Sequence, residues 1–103
     1  MLKLNVSEKA IKSFDIALDW CFFQNGKRSA DNFVVKYSEY VELLRSNPYL
    51  GIEEGLLKKR KYQYRSIRFD EYHRIIYYVA DDVLNIADIW DMRMKTTQLK
   101  KRL

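Results

Sequence analysis

Cysteine is nearly absent from this chain, and its scarcity limits the available chemistry. Cys21 is the only cysteine among 103 residues, so neither an intramolecular disulfide nor a cysteine-based metal site is possible. Cys21 falls on the apolar face of a predicted helix, where a small buried hydrophobe is a commoner role than a reactive thiol. A lone cysteine also fits the reducing cytoplasm.

Long apolar runs and targeting segments are absent as well. No stretch approaches the roughly 20 apolar residues that a membrane-spanning helix needs. Residues 1–6 are too short and too alternating for a signal peptide. We therefore predict a soluble, cytoplasmic protein with no membrane partner, and we expect one domain over residues 1–103 because this length supports one modest core.

Proline and glycine are scarce, with one proline and three glycines, and they fall at the ends of predicted elements. The alternation of apolar and polar residues over 2–6 predicts a first strand. Apolar stripes at helical spacing then predict two amphipathic helices, which form a hairpin. The predicted helix boundaries are Ser7, Asn25-Gly26, Ser29 or Asp31, and Ser46-Asn47-Pro48.

The remainder of the chain is rich in β-branched and aromatic residues and predicts three strands. These lie near residues 62–69, 73–79 and 83–92, with turns at Asp70-Glu71 and Asp81-Asp82. Connections this short force antiparallel pairing. The order β-α-α-β-β-β predicts an α+β fold, an antiparallel sheet packed against an N-terminal helical hairpin. Tyr77 and Trp90 are expected in the core, and the tail from Lys95 either forms a short helix or frays.

Positive charge is concentrated in the second half of the chain. Residues 1–55 carry seven Lys or Arg and eight Asp or Glu, whereas residues 56–103 carry twelve and six, for a net charge of +5. Arginines set among β-branched and aromatic residues are held rigidly by a sheet and can grip phosphate or carboxylate. The asymmetry indicates nucleic acid or an acidic protein segment as partner, although a solvated basic face explains it equally well.

Four motifs follow one another from residue 47 onward. They are Asn47-Pro48-Tyr49-Leu50-Gly51, Tyr64-Arg65-Ser66-Ile67-Arg68, Arg74-Ile75-Ile76-Tyr77-Tyr78-Val79, and Ile89-Trp90-Asp91-Met92-Arg93. In this order and spacing they resemble the RelE/ParE family of bacterial toxins from type II toxin–antitoxin pairs. The resemblance implies a sheet with a helical hairpin on one side, a concave basic face on the other, and an antitoxin chain that wraps and neutralises the toxin.

The same resemblance leaves the target open, because one fold serves two functions in this family. RelE-like members cut messenger RNA in the ribosomal decoding site, and ParE-like members inhibit DNA gyrase. A third hypothesis is a degenerate relative that binds an antitoxin and poisons nothing.

The candidate site follows from the chemistry of RNA cleavage without a metal. This reaction needs a base for the 2′-hydroxyl, an acid for the leaving oxygen, and cations around the phosphorane. By position in the family motifs, the resemblance implies catalytic roles for Arg65, Arg74 and Arg93. The predicted nucleic-acid contacts are Lys59, Lys61 and Arg68, although Arg68 can instead serve to cover an edge strand.

The RelE pattern is incomplete in this chain. Ile67 stands where RelE-like enzymes have a second lysine, and Leu99 lies near the place of a tyrosine, which favours a non-nuclease member. The three arginines and the basic second half of the chain remain compatible with ribosome-dependent RNA cleavage. His73 can act as an acid or base near neutral pH, but strand alternation points it away from its arginine neighbour. Asp88 and Asp91 have no supporting cluster of carboxylates or histidines, so we predict no metal ion and no cofactor.

Overall fold

The computed structural model describes the backbone of residues 1–103 and every side chain except those of Thr96 and Thr97. Its elements are strand β1 (Lys3–Val6), helix α1 (Glu8–Ser46), strand β2 (Ile52–Glu53), a 3₁₀ turn (Gly55–Leu57), strands β3 (Arg65–Arg68), β4 (His73–Ala80) and β5 (Val83–Asp91), and helix α2 (Thr96–Arg102). The predicted α+β fold is confirmed, and the basic tail forms a short helix. Within the described part of the chain, no helix combines the length and the apolar character needed to cross a membrane.

The five strands form one sheet in the order β1-β5-β4-β3-β2. The predicted antiparallel pairing is confirmed for β3, β4 and β5, whose connections are short. By contrast, β1 runs parallel to β5, an arrangement that the long connection between them in the sequence allows. The sequence did not predict β2, which adds two residues at the edge beside β3. Asp81 and Asp82 both have positive φ, 53° and 60°, as a tight hairpin turn requires.

Helix α1 folds back on itself, which confirms the predicted helical hairpin. The Ser7 hydroxyl caps it by accepting a hydrogen bond from the Ala10 N–H at 3.0 Å. A straight helix of 39 residues would be about 58 Å long, but the longest dimension of the molecule is 38 Å. The two halves meet at Phe14, whose ring centroid lies 5.2 Å from that of Phe33 and 4.7 Å from that of Tyr37.

Gly26 makes the reversal in α1. Its φ of 81° lies in the left-handed region, which glycine adopts without steric cost. Helical geometry resumes directly after Gly26. The second half of α1 therefore begins earlier than the predicted Ser29 or Asp31, because one glycine turns the chain without a loop. The helix ends at Ser46, before Pro48, as predicted.

The main core lies between α1 and one side of the sheet. Its fully buried members include Ala10, Leu44, Ile75, Tyr77, Leu84 and Ile86. We call the opposite side the outer face; by strand alternation and register it carries Ser66, Arg68, Arg74, Ile76, Tyr78 and Trp90. A second cluster of Leu57, Ile76, Trp90 and Leu99 shows that α2 and the 3₁₀ turn cover part of this face. The predicted burial of Tyr77 and Trp90 is confirmed.

The Tyr77 hydroxyl fixes the chain that leaves the hairpin. It donates to the Pro48 carbonyl at 2.8 Å and accepts from the Gly51 N–H at 2.9 Å. Because Tyr77 is fully buried, these bonds replace the water that its hydroxyl would otherwise bind. Burial raises the pKa of Tyr77, although the Gly51 N–H and the nearby Arg65 oppose the rise. The Asn47-Pro48-Tyr49-Leu50-Gly51 motif is therefore tied to the core.

Arg93 ties the end of the sheet to the helical hairpin. Its guanidinium lies between two rings, 4.0 Å from the Trp20 centroid and 4.3 Å from the Tyr72 centroid. Its Nε and Nη2 also donate to the two carboxylate oxygens of Asp91, at 2.9 and 2.6 Å. These hydrogen bonds lower the pKa of Asp91, against a smaller opposing effect of burial. A planar cation held on both faces and along one edge has little freedom to move.

We predict that Gly51→Ala destabilises the protein by about 1–3 kcal/mol, the usual cost of overpacking. A Cβ at this position would lie 2.5 Å from the Tyr77 hydroxyl oxygen and 2.8 Å from the Ser66 carbonyl oxygen. Gly55→Ala is the matched control, because a Cβ there meets nothing within 4 Å. Urea unfolding of both variants checks the prediction. Equal stability of the two variants would contradict the assigned role of Gly51.

A second prediction concerns pH. The pKa of Asp91 is lower in the folded chain than in the unfolded one, so its ionised form stabilises the fold. This contribution is present above the unfolded value of about 3.9 and is lost as pH falls through the folded pKa. Asp91→Asn should therefore lower the free energy of unfolding at pH 7 and converge with the wild type in strong acid. Asp15→Asn is the control: Asp15 is exposed on α1, so this variant should have nearly the wild-type free energy of unfolding at pH 7.

Candidate functional site

Two arginines face each other on the outer face. Arg68 on β3 and Arg74 on β4 are direct cross-strand partners, and like charges in this arrangement repel. Arg68 donates from Nε to the Asp70 carbonyl at 2.9 Å and from Nη2 to the Glu71 carbonyl at 3.0 Å. A phosphate lying between the two guanidinium groups would relieve their repulsion and accept charge-assisted hydrogen bonds from both.

Arg74 is joined to a carboxylate by a buried hydroxyl. Its Nε donates to Ser66 Oγ at 3.1 Å, and Ser66 Oγ donates to Glu54 Oε2 at 3.2 Å. Ser66 is 1% exposed, so its hydroxyl is shielded from water, whereas Glu54 and Arg74 are half-buried. The Sδ of Met92 lies 3.9 Å from Arg74 Nη1. This arrangement holds a potential base and a cation on the same small area of the outer face.

Glu54 is the residue that the sequence analysis missed. It follows β2, and its Oε1 accepts from the Leu56 N–H at 3.4 Å, which caps the 3₁₀ turn. In the sequence it is one of two adjacent glutamates in a glycine-marked connection. The only local signal was its place before the turn, since a carboxylate is a common capping group. Its approach to Ser66 depends on how β2 pairs with β3.

Arg65 lies on the opposite side of the sheet from Arg74. It is the cross-strand partner of Tyr77, which belongs to the main core. Its Nη1 donates to the Gly51 carbonyl at 2.9 Å, and its guanidinium lies 5.1 Å from the Tyr49 ring centroid. These contacts hold the segment that the Tyr77 hydroxyl also binds.

The structure does not bring the three predicted catalytic arginines together. Arg65 and Arg93 contact the helix-facing side, and only Arg74 lies on the outer face. Of the predicted nucleic-acid contacts, Arg68 is beside Arg74. Lys59 and Lys61 are exposed on the segment between the 3₁₀ turn and β3.

His73 lies on the helix-facing side, as strand alternation predicted. It is 2% exposed and packs against the Phe33 and Phe69 rings. Its Nδ1 lies 3.0 Å from Asp70 Oδ1. Burial opposes ionisation of Asp70, but hydrogen bonds from the His73 ring and the Tyr72 N–H outweigh it and lower the Asp70 pKa. His73 therefore stabilises the turn between β3 and β4, and its ring lies on the opposite side of the sheet from the Arg74 side chain.

The positions that depart from the RelE pattern are both occupied by packing residues. Ile67 packs against the main core, and Leu99 is 2% exposed within the second cluster. Cys21 is buried, as predicted, and burial raises the pKa of its thiol. Among the described side chains, no group of three or more His, Cys, Asp or Glu could hold a metal ion.

Asp88 is a buried carboxylate on the outer face, at the contact with α2. Its Oδ1 accepts from Arg102 Nη2 and from the Ile89 N–H, each at 2.8 Å. Its Oδ2 has no hydrogen-bond partner among the described residues. Burial raises the Asp88 pKa, and Ser13 and Arg102 oppose that rise. The Arg102 contact holds α2 against the sheet, which is a structural role.

Comparison with known proteins identifies the family. The sequence model described as "ParE toxin of type II toxin-antitoxin system, parDE" matches residues 4–96. No curated protein sequence matches the chain.

Solved structures share the fold. A chain of the chromosomal ParDE TA system from P. aeruginosa superposes with a TM-score of 0.70 at 18% identity, over 88% of this chain and 96% of that one. A chain of the YoeB dimer from Staphylococcus aureus gives 0.57 at 28% identity, over 84% and 92%. A chain of the YoeB-YefM complex from the same organism gives 0.56 at 25% identity, over 86% and 94%.

The family match extends over nearly the whole sequence, from β1 to the start of α2. The chain therefore belongs to the ParE toxin family of type II toxin–antitoxin systems.

Proposed function

We propose that this toxin inhibits growth by cutting messenger RNA on the ribosome, with Glu54, Ser66 and Arg74 at the reacting phosphate. The observation that carries the proposal is the hydrogen-bonded chain from Arg74 Nε through Ser66 Oγ to Glu54 Oε2. It joins a base and a cation, two of the groups that metal-independent RNA cleavage needs.

In this mechanism Glu54 takes the proton of a ribose 2′-hydroxyl. The 2′-oxygen attacks the adjacent phosphorus, the bond from phosphorus to the 5′-oxygen breaks, and the leaving oxygen takes a proton from solvent. Arg74 and Arg68 stabilise the negative charge that grows on the phosphorane oxygens. Ser66 holds Glu54 and Arg74 at a fixed separation.

The other predicted residues have supporting roles in this proposal. Lys59 and Lys61 contact backbone phosphates, which favours binding without sequence preference. Arg65 is already bound to the Gly51 carbonyl. Arg93 is bound to Asp91 and lies between the Trp20 and Tyr72 rings. Both therefore act indirectly. They keep the sheet and the segment before Glu54 in place.

A cognate antitoxin is the proposed partner. The solved YoeB-YefM complex, at 25% identity, supports such an assembly. Large apolar side chains on α1 are strongly exposed in the isolated chain, with Ile16 at 72% and Phe23 at 81%. Exposed apolar side chains of this size on a helix offer contact area to a protein partner.

Inhibition of DNA gyrase is the second candidate function. The family match is to ParE, and the positions of the RelE lysine and tyrosine hold Ile67 and Leu99, both engaged in packing. Primer-extension mapping after induction in a bacterial host separates the candidates. Cuts that require translation support RNA cleavage, growth arrest with intact transcripts supports gyrase, and the absence of arrest supports a non-toxic relative that only binds an antitoxin.

Arg74→Ala should slow translation-dependent cleavage by at least about a hundredfold, the usual cost of removing one strong transition-state contact. The rate of transcript cleavage in a translation extract measures this effect. Arg28→Ala is the control, because Arg28 is exposed on α1, and it should cleave at the wild-type rate. Unchanged cleavage by Arg74→Ala would show that Arg74 does not take part in the reaction.

Glu54→Gln should reduce cleavage by about 10²–10⁴-fold, the range for a lost general base. The amide can still bond Ser66 but takes no proton, so thermal stability should change little. Glu53→Gln is the matched control, since exposed Glu53 has a different contact, 3.8 Å from Arg65. If the protein instead inhibits gyrase, both variants should inhibit DNA supercoiling equally, and no RNA product should appear.

A further inference from the structure

An aromatic pair lies on the outer face, apart from Arg74. The ring of Tyr62, from the segment before β3, stacks on that of Tyr78, from β4, with centroids 4.0 Å apart and planes 9° from parallel. The edge of Tyr64 meets Tyr78 at 5.3 Å. Aromatic pairs in proteins usually keep their centroids 4.5–7 Å apart in offset or edge arrangements, so this pair is unusually close and parallel. The Tyr62 ring covers the face of Tyr78, which is the position that a flat guest such as a nucleobase would take.

Two asparagines continue this surface across the sheet. Asn85 on β5 is the cross-strand partner of Tyr78, and Asn5 on β1 is the partner of Asn85. Asn5 Nδ2 donates to Asn85 Oδ1 at 3.1 Å, and this bond is exposed. Asn85 Nδ2 in turn donates to the Val83 carbonyl at 3.1 Å, so Asn85 orients the Asn5 amide. The three strands thus present Asn5, Asn85 and Tyr78 side by side, which we call the row. Together with Tyr62, the row lines a hollow of about 310 Å³.

Two lysines border the row, and the acidic Asp81-Asp82 turn lies beside one of them, since the Lys3 N–H donates to the Asp82 carbonyl. Lys61 Nζ lies 5.3 Å from the Tyr62 ring centroid, and it ends the basic run that begins at Lys58. Lys3 is exposed on β1, two residues from Asn5 and therefore on the same face. Asp81 is the one acidic residue among the described residues that line the hollow.

We propose that Tyr62 and Tyr78 clamp a base of single-stranded RNA, with the Asn5 amide, oriented by Asn85, bonding the base edge and Lys61 binding the neighbouring phosphate. Aromatic rings stack unpaired bases, and side-chain amides bond base edges. Guest binding requires the Tyr62 ring to leave Tyr78 and close on the other side of the base. Flat rings next to a lysine match a base with its phosphate, a combination that an ordinary protein segment does not present.

This inference rests on the proposed function, because the bound strand is the one that reaches the scissile phosphate. Tyr78 follows Arg74 by four residues on the same face of β4, a separation of about 13 Å. The tyrosine pair therefore holds a nucleotide away from the cut and helps to position the strand at Arg74.

Fluorescence anisotropy of the purified full-length chain with a labelled ten-nucleotide oligo(A) RNA at low salt tests the inference. Tyr78→Leu and Tyr62→Leu should each weaken binding about tenfold, the scale of one lost stacking contact, and Tyr78→Phe should retain it. Tyr49→Leu is the control, because Tyr49 is 69% exposed next to Arg65, and it should bind as the wild type does.

Several outcomes would overturn the inference. They are wild-type affinity in both leucine variants, an equal loss in Tyr49→Leu, and failure of the wild type to bind RNA. Loss of antitoxin binding alone would also do so, since it would assign the row to a protein contact. Circular dichroism identifies variants that do not fold. If Tyr78→Leu is one of them, Tyr62→Leu still tests the inference, because Tyr62 lies outside the strands. If the leucine variants lose RNA while no transcript is cut, the proposed cleavage fails and the base site stands.

Discussion

The candidate site depends on one buried hydroxyl. Tyr77 binds both the Pro48 carbonyl and the Gly51 N–H, and this pair of bonds directs the chain from α1 into β2. The register of β2, with Ile52 opposite Ser66, then brings Glu54 against the Ser66 hydroxyl. The carboxylate of Glu54 on the outer face, which we propose as the general base, is thus positioned by a phenol on the other side of the same sheet.

Strand alternation divides the arginines into two groups with different roles. On the helix-facing side, Arg65 binds the Gly51 carbonyl beside the Tyr49 ring, and Arg93 binds Asp91 between two rings, so each stabilises the fold. On the outer face, Arg68 and Arg74 are placed side by side, at an electrostatic cost that an anion would remove. Arg68 and Arg74 also have hydrogen-bond acceptors, the turn carbonyls and Ser66, so the outer pair differs from Arg65 and Arg93 in being placed next to a like charge.

The sequence predicts the parts of this fold that local rules determine. The helical stripes, the reversal at Gly26 and the hairpin at Asp81-Asp82 follow from periodicity and from turn chemistry. The two-residue β2 has no period to detect. Likewise, the face on which Arg65 lies depends on how β3 pairs with β4, which no local pattern encodes. Glu54 was missed for the same reason, since its neighbour Ser66 is twelve residues away.

The choice between the two targets rests on which residues supply the chemistry, since the fold serves both. Ile67 and Leu99 pack in two different clusters, so these positions offer neither a cation nor a proton. Any cleavage by this chain must therefore use other groups, and the outer face has a carboxylate and an arginine joined through Ser66. A protein that only inhibits gyrase needs no base beside that arginine. Glu54 also caps the 3₁₀ turn through Oε1, which leaves Oε2, bonded to Ser66, as the oxygen on which the nuclease mechanism depends.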